Sequence, residues 1–255
     1  VVKGLIHNSI PESTEELLHN PDQLFTSATI LKDSKTTTAG IVTIGEKEYF
    51  LKRCNNKGFI YSLKYSFRPT RPFKVLDFST ELHALGIKIP AVMGALETRR
   101  GLLLDKAWLI TEVLTGTIDA SGHMAELVKP EMFSGFVTEL SSILKKIHES
   151  GIAHGDLKMH NILAIKKNDT FTFGLMDFDG ATQSRYPLPR RKRICELARV
   201  ISSWILNCRT QKLECDFNAA KTAFINKYFE LTGIDLSGRR LDKRINYLVN
   251  RTRKK

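Results

Sequence analysis

The sequence predicts an α+β chain in two lobes, an antiparallel sheet followed by a mainly helical part, and three observations predict it. Up to about residue 115, short runs of β-branched and aromatic residues alternate with turn residues. Beyond Thr115-Gly116 the apolar spacing becomes three and four residues, the period of buried helices. Finally, 255 residues at 42% hydrophobic composition suit one large core or two lobes sharing a cleft.

In chain order, Thr29 to Lys32, Gly40 to Ile44 and Lys47 to Arg53 read as strands of a meander, broken by Asp33-Ser34-Lys35 and Gly45-Glu46. A helix is predicted from Arg71 to Leu85, where Val75, Phe78, Leu82 and Leu85 recur at helical spacing and Gly86 stops it. Ala91 to Glu97 and Ala107 to Val113 are two more strands around Arg99-Arg100-Gly101. In the second half, Glu131 to Ser150 carries an apolar stripe wide enough for a central buried helix, ended by Gly151. Two short strands follow, Asn161 to Ile165 and Thr170 to Asp177, then helices over Arg190 to Asn207, Asn218 to Leu231 and Ser237 to Asn250. The expected lobes are 1–115 and 116–255, with no internal repeat and no low-complexity linker.

Composition excludes several classes. No run approaches the roughly 18 apolar residues of a membrane span, and the most apolar helical segment, Val200 to Leu206, is broken by Ser202 and Ser203. Val1-Val2-Lys3-Gly4 has no apolar core with a small-residue cleavage site, which predicts no secretory signal. Cys54, Cys195, Cys208 and Cys215 have no paired spacing, so they are expected as reduced thiols in a cytoplasmic protein. A net charge of +12 calls for an anionic partner. Its densest clusters are Arg190-Arg191-Lys192-Arg193 and the C-terminal set Arg239, Arg240, Lys243, Arg244, Arg251, Arg253, Lys254 and Lys255. Neither a zinc-finger spacing nor a stacking-aromatic RNA motif accompanies that charge, so no specific nucleic acid is expected.

The chemistry concentrates in His154-Gly155-Asp156-Leu157-Lys158-Met159-His160-Asn161 and in Leu175-Met176-Asp177-Phe178-Asp179-Gly180. Taken singly, a loop Asp caps a turn, an Asn starts a strand and a Lys is solvated. An Asp after a buried helix, an Asn five residues on and a second Asp closing the next strand form an order that transfer of a γ-phosphoryl group needs. Such a reaction requires hard oxygen ligands for metal, a positioned hydroxyl and positive charge on the phosphates.

These motifs resemble the kinase-like superfamily, and more closely the lipopolysaccharide-core kinases that phosphorylate Kdo or heptose. The closer likeness rests on the catalytic-loop stretch His154 to Leu163, on Met176-Asp177-Phe178-Asp179 and on Leu82 to Pro90 with its Gly-Ile-x-x-Pro turn. The basic run before Leu197-Ala198-Arg199 also resembles that family. The resemblance implies a bilobal protein-kinase-like fold that uses ATP and Mg²⁺. It implies Asp156 as the base that orients the acceptor hydroxyl, Lys158 as a charge on the transferred group, and Asn161 and Asp177 as metal ligands. At the nucleotide end it implies Lys52 on the α- and β-phosphates, with Glu81 preferred over Asp77 as its partner. The phosphate-covering turn would lie in Ser34 to Gly40, with Gly40 for close approach, and Glu112 and Val113 would meet the adenine edge.

Two departures inform the reading. Gly-x-Gly-x-x-Gly is absent, and Gly155 stands where regulated protein kinases carry an Arg that anchors a phosphorylated segment, so that switch is not expected. A short path from Asp177 to the helix at Arg190, without Ala-Pro-Glu, favours a small or carbohydrate acceptor over a peptide. The implied acceptor is an anionic glycolipid at the cytoplasmic face of the inner membrane. The last helix, with Leu241, Ile245 and Leu248 opposite most of its basic residues, would either lie on that surface or pack on its own lobe. Other small-molecule acceptors, a catalytically silent kinase-like binding module and a nonspecific nucleic-acid binder remain alternatives at this point.

Overall fold

The computed structural model of the protein describes residues 2–6, 20–56, 58–114 and 117–252. The predicted junction at Thr115-Gly116 and the terminal Arg253, Lys254 and Lys255 lie outside them. Two compact units emerge: a strand-rich one that runs to Glu81 and resumes at Pro90, and a helical one that takes Leu82–Ile89 and the described chain from Thr117 onward.

The strand-rich unit holds β1 (Val2–Ile6), β2 (Thr29–Ser34), β3 (Thr37–Ile44), β4 (Lys47–Cys54), β5 (Val92–Arg100) and β6 (Leu103–Glu112) in one antiparallel sheet of order β1-β5-β6-β4-β3-β2. Alternation decides its faces. Val42 and Ile44, Tyr49 and Leu51, and Trp108 and Ile110 each stand two apart and converge with Leu24 and Leu96 in one buried cluster. On the opposite face Cys54, Leu104 and Ala107 pack with Tyr65 and Tyr61, which belong to the short helix α1 (Phe59–Lys64) and the residue after it. Helix α2 (Arg71–Ala84) closes the first stretch of this unit and ends one residue short of the expected Leu85.

Strand β1 and helix α1 have no counterpart in the sequence prediction. Helix α1 buries Ser62, whose Oγ donates to the Leu104 carbonyl at 2.7 Å, and turns Phe59, Ile60 and Leu63 outward. Its apolar periodicity therefore reads against its packing.

The helical unit contains β7 (Thr117–Asp119), α3 (Met124–Leu127), α4 (Pro130–Glu149), β8 (Ile152–Ala153), β9 (Ile162–Lys167), β10 (Thr170–Leu175), β11 (Thr182–Gln183), α5 (Arg190–Thr210), α6 (Phe217–Thr232) and α7 (Arg239–Thr252). Pro130, with no N–H to leave unsatisfied, opens α4, and Phe136, Leu140, Leu144 and Ile147 form its fully buried edge. The Phe136 ring stacks on Trp204 of α5 at 5.5 Å and meets Phe173 of β10 edge-on at 4.9 Å, tying helix, helix and hairpin together. Helix α6 is capped by Asp216, which accepts from the Asn218 and Ala219 amides, and Gly233 ends it in the left-handed region. The apolar edge of α7, Leu241, Ile245 and Val249, is buried with α5 as its main neighbour, so this face packs on its own unit. Among the described residues no helix is long and apolar enough to cross a membrane.

The small sheet β10-β9-β7 carries the site. β9 and β10 pair from Ile162↔Leu175 to Lys167↔Thr170, which brings the residues before β9 and after β10 to one end of the hairpin. Leu82–Ile89 joins this hairpin: the Leu175 amide donates to the Lys88 carbonyl at 2.9 Å, and Lys146 of α4 donates to the Leu85 carbonyl at 2.9 Å.

Candidate active site

The loop from His154 to Asn161 is anchored through its main chain. Glu196, on the buried side of α5, accepts from the His154 amide at 2.9 Å and from the Gly155 amide at 3.3 Å, and its charge is balanced by Arg199 at 3.0 Å. A carboxylate only 2% exposed is tolerable because it is paired and its oxygens are hydrogen-bonded. Further along, the Ser203 hydroxyl accepts from the Met159 amide at 2.9 Å. One face of α5 thus fixes both ends of the loop's reactive stretch.

His154 is buried and holds a single neutral tautomer. Its Nε2 donates to the Met176 carbonyl at 2.9 Å, which leaves Nδ1 as an acceptor facing the Asp156 amide at 3.4 Å. Burial lowers its pKa, against the opposing pull of the Glu196 carboxylate. The imidazole is therefore a structural strut between the catalytic-loop stretch and the segment after β10. Gly155 makes the second strut possible. At φ +85° it lies so close to Gly180 that a Cβ would sit 2.2 Å from the Gly180 carbonyl oxygen.

Within this frame three of the expected residues meet. Asn161 donates through Nδ2 to the Asp156 carbonyl at 2.7 Å, and Lys158 Nζ donates to Asp156 Oδ2 at 2.8 Å. Asp156 is exposed, whereas Asn161 is only 5% exposed. Because the amide nitrogen of Asn161 is committed to Asp156, its oxygen is the atom it offers to a cation. Asp177 follows directly: the Met176 amide donates to the Asn161 carbonyl at 3.0 Å, and the next residue, Asp177, adopts φ 62° and ψ 61°. Left-handed backbone is uncommon for a non-glycine residue and costs of order 1 kcal/mol or more. Here it turns the chain out of β10 with the Asp177 side chain exposed. Among the described residues no three His, Cys, Asp or Glu side chains gather into a cage that could hold a metal alone. One carboxylate and one amide oxygen instead suit Mg²⁺, which keeps few protein ligands and completes its shell with phosphate oxygens and water.

The residues expected at the nucleotide end fall in the strand-rich unit. Lys52 is half-buried in β4, opposite Ala39 and Leu109, and Glu81 is half-buried near the end of α2. Glu112 ends β6, where Oε1 accepts from the Ala91 amide at 2.9 Å, and Val113 follows it. The turn between β2 and β3 is Lys35-Thr36, so Gly40 lies inside β3 rather than in the turn. Gly40 is there because a Cβ would stand 2.7 Å from the Thr29 carbonyl of β2. Thr38 is likewise engaged: it donates to Asp33 at 2.9 Å and accepts from Arg53 at 3.0 Å. Those side chains organise the sheet edge.

Glu196 and Ser203 were not singled out from the sequence. Glu196 sits among Arg190, Arg191, Lys192, Arg193 and Arg199, where an acid reads as a solvated helix charge. Its partners are backbone amides, which leave no side-chain signature to find.

A six-stranded antiparallel unit, a helical unit and a loop presenting Asp156, Lys158 and Asn161 beside Asp177 make this a protein-kinase-like fold. The solved structure of WaaP in complex with acyl carrier protein superposes with a TM-score of 0.65 at 14% identity, covering 99% of this chain and 98% of that one. A glucosamine kinase bound to glucosamine, ADP and inorganic phosphate gives a TM-score of 0.57 at 14% identity, covering 88% and 74%. The chain belongs to the lipopolysaccharide kinase (Kdo/WaaP) family, whose model matches residues 17–228. Similar curated proteins include the 3-deoxy-D-manno-octulosonic acid kinase of Mannheimia succiniciproducens, 25% identical over 146 residues, 57% of this chain and 60% of that protein. Its counterpart from Pasteurella multocida is 23% identical over 154 residues, 58% and 61%. The chain thus aligns with about 60% of the length of these relatives.

Proposed function

We propose that this protein is an ATP- and Mg²⁺-dependent kinase that transfers the γ-phosphate to a sugar hydroxyl, Kdo or heptose, of the lipopolysaccharide inner core. The observation that carries the reading is the bonded set Asp156, Lys158 and Asn161 held beside Asp177. Family membership supports a sugar acceptor, and the two curated relatives above are named as 3-deoxy-D-manno-octulosonic acid kinases.

In this reading Asp156 accepts the proton of the attacking hydroxyl and orients its lone pair at the phosphorus. Lys158, already 2.8 Å from Asp156, is placed to neutralise charge on the transferred group as it develops. Asp177 and the Asn161 amide oxygen are the ligands the chain offers to Mg²⁺, which when bound neutralises the β- and γ-phosphates. Lys52 would hold the α- and β-phosphates with Glu81 as its partner, and Glu112 and Val113 would meet adenine. Gly40 serves the covering segment only by letting β2 approach. The acceptor places the enzyme at the cytoplasmic face of the inner membrane as a peripheral protein.

The test is transfer of labelled γ-phosphate from ATP to purified inner-core glycolipid with Mg²⁺. Label should appear on the glycolipid and vanish with Asp177→Ala, while Asp156→Ala lowers the rate about 10²- to 10⁴-fold. Asp177-dependent ATP turnover with no label on glycolipid would reassign the acceptor to another small alcohol. Absence of any turnover would leave a binding module.

A further inference from the structure

Helix α1 is built inside out. Its polar Ser62 is buried and bonded to the Leu104 carbonyl, and Tyr61 and Tyr65, with ring centroids 4.7 Å apart, lie against the sheet. The outward side is apolar: Phe59 is 67% exposed, Ile60 85%, and Leu63 45%, at the i, i+1 and i+4 positions of one face. Two neighbours extend it. Phe67, one turn past Leu63, is 82% exposed, and Leu102, at the β5–β6 turn, is 75% exposed. They are neighbours because Ser66 Oγ donates to the Leu102 carbonyl at 2.8 Å. Large apolar side chains scattered singly on a surface need no explanation, but four on one short segment with a fifth beside them do.

The charge around the patch identifies what covers it. Between Glu48 and Asp77 the sequence contains no acidic residue and seven Lys or Arg residues. In the structure Lys64 and Arg68 are exposed beside the apolar residues, and Arg100, with an 84% exposed side chain, lies 3.6 Å from Asp105. Nearby Glu97 is bound to Arg99 at 2.7 Å. Exposed aromatic and aliphatic side chains rimmed by an excess of exposed cations match an interface whose surface is anionic and whose interior, a few ångströms deeper, is hydrocarbon.

We infer that α1 with Phe67 and Leu102 is the membrane-docking face of the strand-rich unit, seating on an anionic phospholipid bilayer. Phe59, Ile60, Leu63 and Phe67 enter the headgroup–acyl boundary, and Lys64, Arg68 and Arg100 lie on the phosphates. This rests on, and makes specific, the peripheral placement proposed above. It assigns insertion to α1 rather than to α7, whose apolar edge is buried.

The experiment is sedimentation of the whole protein with vesicles of phosphatidylcholine plus phosphatidylglycerol, and with phosphatidylcholine alone. Wild type should bind the anionic vesicles in a salt-sensitive way. Ile60→Asp combined with Phe67→Asp should lower the partition coefficient about a hundredfold, since each side chain loses burial worth roughly a factor of ten. An Ile60→Trp variant should show a blue-shifted emission only with anionic vesicles. Circular dichroism and ATP turnover without lipid are read on the same samples. Turnover without vesicle binding would overturn the docking face and leave the kinase standing, whereas vesicle binding without turnover would do the reverse. Equal binding by the Asp variant would also overturn it. So would a wild-type dimer that the Asp variant loses, because the occupant would then be a second copy of the chain.

Discussion

Glu196 illustrates how much of the site rests on a residue that touches no substrate. It accepts the amides of buried His154 and half-buried Gly155, so replacing it with Ala leaves both N–H groups without this acceptor and Arg199 without its carboxylate. Each unsatisfied buried group costs about 1–3 kcal/mol, while Arg199, partly exposed, regains water when its carboxylate is lost. Glu196→Ala should therefore lower the midpoint of thermal unfolding and abolish phosphate transfer, while Glu196→Gln, which keeps one acceptor oxygen, retains part of both. A melting curve and turnover for Glu196→Ala that match wild type would remove it from this positioning role. The contrast with Asp156, Asn161 and Asp177 is instructive. Those three stand at spacings that the sequence displays directly, because the proposed metal and hydroxyl chemistry calls for particular side chains. Glu196 serves main chain, and main chain has no letter in the sequence.

At the level of elements, α4, α5 and α6 meet around a buried polar cluster. His148 of α4 accepts at Nδ1 from the Tyr228 hydroxyl of α6 at 2.9 Å, and Arg193 of α5 donates to the same oxygen at 2.8 Å. His148 Nε2 is buried without a partner. Burial, with Arg193 adding to it, pushes the His148 pKa down to about 3 from an ordinary 6.5. The unfolded chain therefore takes up a proton that the folded one refuses, so stability falls as pH drops below 6.5 and this contribution is gone near 3. The window is worth on the order of 5 kcal/mol in total, at roughly 1.4 kcal/mol per pH unit. His148→Gln should flatten the decline in unfolding free energy between about pH 6 and 4, followed by urea titration at each pH. The same slope in both proteins would show that the helices meet acid by another route. Of the elements that sequence periodicity captured, β3 to β6 and the five long helices bury the face that their pattern announces, whereas β2, at the sheet edge, leaves Ile30 and Leu31 exposed. Helix α1 escaped because it buries Ser62 and exposes Ile60, the reverse of what an amphipathic reading assumes.

Across the whole molecule, the boundary between units is not a single cut. Leu82–Ile89 is assigned with the helical unit although the chain returns afterwards to β5 and β6. Buried Ile87 and Ile89 and the Lys88 carbonyl supply β10 with a neighbour, so a fragment of residues 116–255 lacks part of its own core. That fragment should expose the Leu175 amide to hydrogen exchange and aggregate more readily than one of residues 82–255. Equal protection and equal solubility of the two would mean that the segment is dispensable. A second consequence concerns descent. The catalytic-loop stretch is assembled by the amides of His154, Gly155 and Met176, the carbonyls of Asp156 and Asn161, and the closeness of Gly155 to Gly180. Most of these joints set one side chain against another residue's backbone, so Glu196, Asn161, His154 and Gly155 are held to their letters. Their neighbours are free to drift over generations while the geometry stays, and a fold can be shared at 14% identity with a TM-score of 0.65.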